Sequence, residues 1–411
     1  MSASYGELIA ALESLPANPR IVASGNGAIP FELLHIVDNT LPAFTLNMLA
    51  AHAGLPLREG VTHETSFVGA GMRKSPRLAY VPARLSMVPL LFSRTLLPDA
   101  VVAHTSLPHN GKLSLGIEAN VIVGAIEACK ARGGKIIAQA NAKMPYTFGD
   151  AEYDIEDFDA IYEVDLPIAT SARRPKVQAA TGDAAVIGEL VSSRVHDGAT
   201  LQLGIGMVPD ATLPFLAKLK GLGIWSEMFS DGVLSLIDAG AMDPERKITA
   251  SFAAGSAELY EWMHLNPQVL MLRTETTNDP AAIAMQPQMT SINTALQVDL
   301  FGQANASRIN ARIFSGFGGQ TDFIVGALHS PGGQAIMALR SWHPKAQVST
   351  IVPLIEEPVT SFQHSAIITE QGIAEIFGND QAHQCWSIIN KAAHPSVRSE
   401  LWEEAHALGL A

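Results

Sequence analysis

Glu227 is the residue whose type and setting most directly suggest chemistry. It lies in Gly223-Ile224-Trp225-Ser226-Glu227-Met228-Phe229-Ser230-Asp231-Gly232-Val233, whose start reads as a buried strand. Ser230 or Asp231 could cap the helix that follows and ends at Gly240. A carboxylate in an apolar setting costs free energy unless it is paired or used. A structural ion pair is one explanation. The other is a nucleophile: a carboxylate is ionised at neutral pH and can attack a carbonyl carbon without a separate base.

A second feature complements it. Gly204-Ile205-Gly206-Met207-Val208-Pro209 follows an apolar run and precedes a helix-compatible run from Asp210 to Leu219. Glycines there allow positive φ and close approach. They leave the N–H groups of Gly206, Met207 and Val208 pointing outward at a helix start, where they can hold a phosphate or an oxyanion. A dinucleotide fold would want glycine where Pro209 stands, so a nicotinamide site is disfavoured. A third feature is Ser315-Gly316-Phe317-Gly318-Gly319-Gln320-Thr321-Asp322-Phe323-Ile324-Val325-Gly326-Ala327, continuing through Ser330-Pro331-Gly332-Gly333-Gln334. It reads either as glycine-rich turns or as loops that wrap an extended polar ligand through backbone contacts.

These residues need a frame. Arg20 to Ser24, Val101 to His104, Lys135 to Gln139 and Thr200 to Leu203 read as strands buried on both faces. Asn120 to Arg132 and Asp183 to His196 carry apolar residues at helical spacing. Such alternation predicts an α/β fold with mainly parallel sheets. The glycine loop also has a counterpart, Gly25-Asn26-Gly27-Ala28-Ile29-Pro30, before Phe31 to Val37. Leu46-Asn47-Met48 then aligns with Ser226-Glu227-Met228, and the offsets of 179 and 180 residues point to duplication. The expectation is two tandem, internally duplicated open α/β domains, residues 1–175 and 176–411, with a boundary near residues 167 to 182, where Pro167 to Pro175 is basic and proline-containing. In this alignment neutral Asn47 stands opposite Glu227.

Bulk properties exclude several classes. The chain has 411 residues, 47% of them apolar, which suits a large, well-buried globular enzyme. A net charge of −13 argues against nucleic acid and anionic membrane as partners. The two cysteines, Cys129 and Cys385, exclude a disulfide framework and fit a reducing compartment. The N-terminus lacks signal-peptide features and no apolar run reaches membrane-spanning length, so the expectation is a cytoplasmic protein. The thirteen histidines form no H-x-x-x-H pair, so no metal is expected.

At these motifs the chain resembles the acetyl-CoA hydrolase/transferase branch of the class I CoA-transferases. The run from Gly318 to Leu339 is similar to the family signature G-G-Q-x-D-F-x-x-G-A-x-x-S-x-G-G-[KQ]-x-I-x-A-L. Ile368-Thr369-Glu370-Gln371-Gly372-Ile373-Ala374 resembles its T-E-x-G-[IV]-A segment. The resemblance implies that Glu227 is the covalent nucleophile of an [ST]-E-M-x-[SA]-D-G motif, and that Gly206, Met207 and Val208 hold the oxyanion. It also implies contacts to coenzyme A, as co-substrate, from Gly204, Asn305, Gly318, Gly319, Gln320, Asp322, Phe323, Gly326, Ala327, Gly332 and Gly333. The partners would be an acyl-CoA and a small carboxylic acid, in a homo-oligomer, with CoA passing to a C4–C5 acid such as butyrate, 4-hydroxybutyrate or an itaconate-like acid. Hydrolysis through the same glutamate is the alternative reaction. A dicarboxylate would need a further cation, for which Arg73 is the candidate, with Asn47 also near the acid. Gln334, His329 and Trp225 depart from the lysine, arginine and histidine common in relatives.

Overall fold

The computed structural model describes residues 5–171, 181–204, 206–361 and 363–411, with Met207 described by its backbone alone. Contacts group the chain into two compact units. Unit 1 comprises Met1–Arg174, Lys247–Asn278 and Ile313–Gly318; unit 2 comprises Pro175–Arg246, Asp279–Arg312 and Gly319–Ala411. The boundary read between residues 175 and 176 lies outside the described residues.

Unit 1 is built on a seven-stranded sheet. Its strands are β1 (Arg20–Ala23), β2 (Phe44–Asn47), β3 (Val61–Thr65), β4 (Leu78–Tyr80), β5 (Ala100–Ser106), β6 (Lys135–Asn141) and β7 (Ala160–Val164). All neighbours pair in parallel. The spatial order is β7-β6-β5-β1-β2-β3-β4, so the winding reverses between β1 and β5. Every residue of β5 is buried, as expected for an apolar run covered on both faces. Helix α1 (Phe31–Thr40) returns the chain from β1 to β2 and buries Leu33, Leu34 and Val37 against Ile21, Phe44, Leu46 and Val102. A second parallel run in this unit joins strands at Ile248–Ala253, Val269–Met271 and Phe148–Gly149.

Unit 2 repeats the winding. Its strands are β8 (Thr200–Leu203), β9 (Gly223–Phe229), β10 (Thr290–Asn293), β11 (Gln334–Ala338), β12 (Ala366–Thr369) and β13 (Gly372–Glu375). They lie in the order β13-β12-β11-β10-β8-β9, reversing between β8 and β10. The pairs are parallel except for the β12/β13 hairpin. The connecting helices that bear on the site are α2 (Met207–Leu216), α3 (Gly232–Asp238) and α4 (Gln320–His329). The core runs from Val298 and Ile324 through Met337 and Ile367 to Ile388 and Leu401. This is the open α/β architecture, with mainly parallel sheets, that strand–helix alternation predicts.

Open sheets of this kind bind ligands beyond the carboxyl ends of their strands, where the winding reverses. In each unit that place is occupied by a G-x-G-x-x-P loop, following β1 in unit 1 and β8 in unit 2.

Candidate active site

In unit 2 the loop runs straight into α2. Gly206 is the N-cap, with φ of 116° and ψ of −169°, a conformation that only glycine adopts without strain. Its carbonyl accepts from Asp210 N at 3.0 Å. The first-turn N–H groups of Met207 and Val208 have no intrahelical acceptor, and Pro209 carries no N–H at all. The helix start therefore offers a short pair of donors with the positive end of the macrodipole behind them. A Cβ built on Gly206 meets no described atom within 4 Å, and one on Gly204 meets only Pro209 Cγ at 4.0 Å. Among the described residues, this face of the loop is open.

The sheet brings Glu227 to the same level. Leu201 pairs with Ile224, so the register carried three residues on sets Gly204 beside Glu227. Glu227 is partly exposed, between buried Ser226 and Met228. Side chains alternate along a strand, so Glu227 shares a face with Trp225. Trp225 packs on Ile283, Met289, Phe323 and Ala327. Helix α4 precedes the parallel strand β11, so it runs against the strands and its N-cap, Gly319, also reaches the carboxyl edge. There Gln320 Nε2 donates to Thr294 O at 3.2 Å.

Two further carboxylates shape the edge. Partial burial, and next the charge of Asp231, raise the pKa of Asp210 in the first turn of α2. Burial also disfavours charge on Glu370, but hydrogen bonds from Ser341 Oγ, Ser341 N (2.9 Å) and Gln371 Nε2 (3.1 Å) outweigh it and hold its pKa down. The Asp210–Asp231 pairing escapes a sequence reading because one residue starts a helix and the other precedes a different helix.

Residues 255–405 match the model of the acetyl-CoA hydrolase/transferase C-terminal domain. The chain is 35% identical to the 4-hydroxybutyrate coenzyme A transferase of Clostridium kluyveri, across 96% of this chain and 95% of that one. The chain belongs to the acetyl-CoA hydrolase/transferase family. The crystal structure of RipA from Yersinia pestis superposes with a TM-score of 0.89 at 27% identity, covering 98% of this chain and 97% of that one. That of a 4-hydroxybutyrate CoA-transferase from Porphyromonas gingivalis gives 0.81 at 29%, with the same coverage.

For this family member, the other residues singled out by sequence divide sharply. Gly204, Gly206, Val208, Glu227, Gly319 and Gln320 gather at the carboxyl edge of unit 2. Asp322 and Phe323 are buried in the first turns of α4. Gly326 and Ala327 lie further along α4, and Gly332 and Gly333 lie beyond its C-terminus, at the amino edge. Close packing accounts for the lack of a side chain there: a Cβ on Gly326 would come 2.5 Å from Ile283 Cβ, and one on Gly333 2.2 Å from Ala327 O. Asn305 is buried, and its amide closes its own turn. Oδ1 accepts from Ser307 N at 3.1 Å and Arg308 N at 3.0 Å, while Nδ2 donates to Arg308 O at 2.9 Å.

In unit 1, Gly318 has φ of 58° and accepts from Leu85 N at 2.9 Å. The Arg73 guanidinium stacks over Phe314, 3.8 Å from the ring centroid, and Nε donates to Phe314 O at 2.9 Å. Asn47 is buried in β2 and donates to Glu64 Oε1 at 2.9 Å, a carboxylate that also meets Arg20 Nε at 3.0 Å. The alignment of Asn47 with Glu227 does not survive the register. Three residues before its first glycine, Val22 pairs with Asn47; at the same offset Leu201 pairs with Ile224. Glu227 thus stands three residues further along its strand than Asn47 does, because β9 runs on to Phe229 whereas β2 ends at Asn47.

Among the described residues, no cluster of three or more His, Cys, Asp or Glu side chains could hold a metal ion, and no helix is long and apolar enough to cross a membrane.

Proposed function

We propose that this chain transfers coenzyme A from an acyl-CoA to a free carboxylate by covalent catalysis at Glu227. Family membership makes it an enzyme of the CoA-transferase type; the acid, the intermediate and the residue roles are our reading. The observation that carries it is the register of β9, which sets a partly exposed carboxylate level with the first glycine of an open helix-start loop at the winding reversal.

The Glu227 carboxylate attacks the thioester carbonyl while the N–H groups of Met207 and Val208 receive the developing oxyanion. The C–S bond breaks, CoA leaves as thiolate, and an acyl–glutamyl anhydride remains. The thiolate then attacks the glutamyl carbonyl, releasing the first acid and leaving a glutamyl-CoA thioester. The second acid attacks that thioester and forms a new anhydride. The thiolate returns to the acyl carbon, giving the new acyl-CoA and free Glu227. One thioester replaces another, so no ATP is consumed. An oxyanion donor is typically worth about 3–4 kcal/mol at the transition state.

The substrates we propose are a short-chain acyl-CoA and a C4–C5 acid, in a homo-oligomeric enzyme. The relative from Clostridium kluyveri, named for 4-hydroxybutyrate, supports that acid range. Initial rates at varied acyl-CoA and acid test the mechanism. Parallel double-reciprocal lines support it, and intersecting lines refute the ping-pong order. Acyl-CoA consumption without an acceptor acid measures the hydrolytic alternative.

A further inference from the structure

Beside the glycine loop of unit 2, on the side away from β9, a ladder of polar side chains climbs the sheet toward its carboxyl edge. Gln202 in β8 pairs with Ser291 in β10, and Ser291 Oγ donates to Gln202 Oε1 at 2.7 Å. Asn293 Nδ2 donates in turn to Ser291 Oγ at 2.8 Å. Gln202 and Ser291 are buried. Exchanging such a hydrogen-bonded pair for apolar groups is close to neutral for stability, so the fold alone gives little reason to keep it. Unit 1 does without it: counted back from its own first glycine, the same two positions hold Ala23 and Val102.

The ladder ends at Asn293. Leu203 pairs with Ile292, so Asn293 stands level with Gly204 on one side as Glu227 does on the other. Gln202 is level with Trp225, and side chains alternate along a strand. Gln202, Ser291 and Asn293 therefore share the sheet face that carries Trp225 and Glu227. Neighbouring strands lie about 4.8 Å apart, which sets the Cα atoms of Glu227 and Asn293 about 10 Å apart across Gly204. The Ser291 hydroxyl has one proton and gives it to Gln202, so it holds Asn293 by Nδ2 and turns Oδ1 away. Asn293 is half-buried, and no described residue donates to its Oδ1. Met337, level with it in β11, has no proton to give. The counterpart in unit 1 is His104, level with Gln139, whose ring nitrogens are both engaged within that unit.

An oriented acceptor beside a nucleophilic carboxylate suits one of the two substrates. The reacting carboxylate of the acid is ionised at neutral pH and has no proton to offer. An acyl-CoA has one: beyond its sulfur and two methylenes comes an amide N–H. With the thioester carbonyl at Glu227, that N–H falls within the span of the two strands. We propose that Asn293 Oδ1 accepts a hydrogen bond from the amide N–H nearest the sulfur of the acyl-CoA, with Ser291 and Gln202 positioning the carboxamide. The inference rests on the reading of Glu227 as nucleophile. A site built to accept an N–H rejects the analogue lacking it, because its own polar group is then left unpaired.

The test uses acetyl-CoA and an analogue in which that amide is replaced by an ester, so that the N–H is lost and the rest of the molecule kept. With one acceptor acid held fixed, wild-type kcat/KM should favour acetyl-CoA over the analogue by roughly tenfold or more. Asn293→Ala should bring the ratio near one. Ser291→Ala frees the carboxamide to turn and should give an intermediate ratio. A Ser291→Ala enzyme that slows both donors alike, with the wild-type ratio, would overturn the positioning role. Equal wild-type rates for the two donors overturn the proposal, as does a ratio unchanged in Asn293→Ala; the latter is the result expected if another acceptor holds the amide. Labelling of Glu227 by acetyl-CoA is read separately. Its absence, with the ratio still lost in Asn293→Ala, would remove the nucleophile and keep the Asn293 contact.

Discussion

The two G-x-G-x-x-P loops occupy the same place in their sheets and have opposite surroundings. In unit 1 the site is filled from within. A Cβ on Gly25 would lie 2.2 Å from Leu49 O, and one on Gly27 would lie 3.3 Å from Ile117 Cδ1. Asn26 Nδ2 donates to Glu118 Oε2 at 2.7 Å. The first turn of α1 already has an acceptor, since Leu33 N donates to Gln139 Oε1 at 3.0 Å. His104 completes the plug, with Nδ1 3.1 Å from Ala28 O and Nε2 facing Gln139 Nε2 and Asn141 Nδ2 at 3.2 and 3.1 Å. In unit 2 a Cβ built on Gly206 at the corresponding helix start meets no described atom within 4 Å, and the register puts a carboxylate beside the loop. One winding thus yields a polar core in the first copy and a reactive edge in the second. What differs is whether side chains from neighbouring strands consume the helix-start donors.

The largest consequence concerns Glu227. Glu227→Gln keeps the shape and removes the nucleophile, and should lower kcat by on the order of 10⁴ or more in an acyl-transfer assay. A fall of less than tenfold would place the chemistry elsewhere.

Next is the plug. The amides of Gln139 and Asn141 are oriented by their other bonds, to Leu33 N and to Lys143 N and Leu166 N, so both present N–H to His104 Nε2. The ring must then accept there, which requires the neutral form. Burial accordingly lowers the His104 pKa from 6.5 to about 4. Above pH 6.5 the ring is neutral in folded and unfolded chains alike and stability does not depend on it. Between pH 6.5 and about 4 the unfolded chain gains the proton first, so folding loses stability as pH falls, by on the order of 3 kcal/mol in all. Urea midpoints at pH 7 and pH 5 should differ less in His104→Gln than in the wild-type protein. An equal difference would remove His104 from the account.

The glycines sharpen the contrast further. Gly25→Ala forces a methyl group onto Leu49 O and should destabilise the fold by about 1–3 kcal/mol. Gly204→Ala has room and should stay within about 0.5 kcal/mol in thermal unfolding. Reversed results would mean that the second loop, too, is closed. Smallest is Asn47→Ala, which takes one donor from Glu64 and should cost about 1 kcal/mol in a urea titration. No loss at all would show that Arg20 alone satisfies that carboxylate.

Much of this was legible in the sequence. Thr200–Leu203 forms a strand with the bounds its apolar run suggests, and the strand of Lys135–Gln139 extends two residues further, to Asn141. Strands buried on both faces leave a continuous apolar run, and that signal is strong. The helix expected from Asp210 begins earlier, at Met207, because a proline in the first turn is compatible with a helix start. The repeat was visible from its glycines, but the levels of Asn47 and Glu227 depend on strand length, which residue matching does not measure. Gly326 and Gly333 read as parts of a ligand loop, and a side chain at either position would also collide with Ile283 or Ala327. A glycine required by helix packing and one required by a ligand look the same in a sequence. The Ser226 hydroxyl, which has no hydrogen-bond partner among the described residues, left no sequence signal, since partners arrive only with the fold.

The direct test is to trap Glu227 in its activated, thioester-bound form. Incubation with an acyl-CoA, quenching with borohydride or hydroxylamine and peptide mapping should put the modification on the peptide containing Glu227, and Glu227→Gln should carry none. A modified residue at another position, or continued turnover with no modified protein, would contradict covalent catalysis at this glutamate.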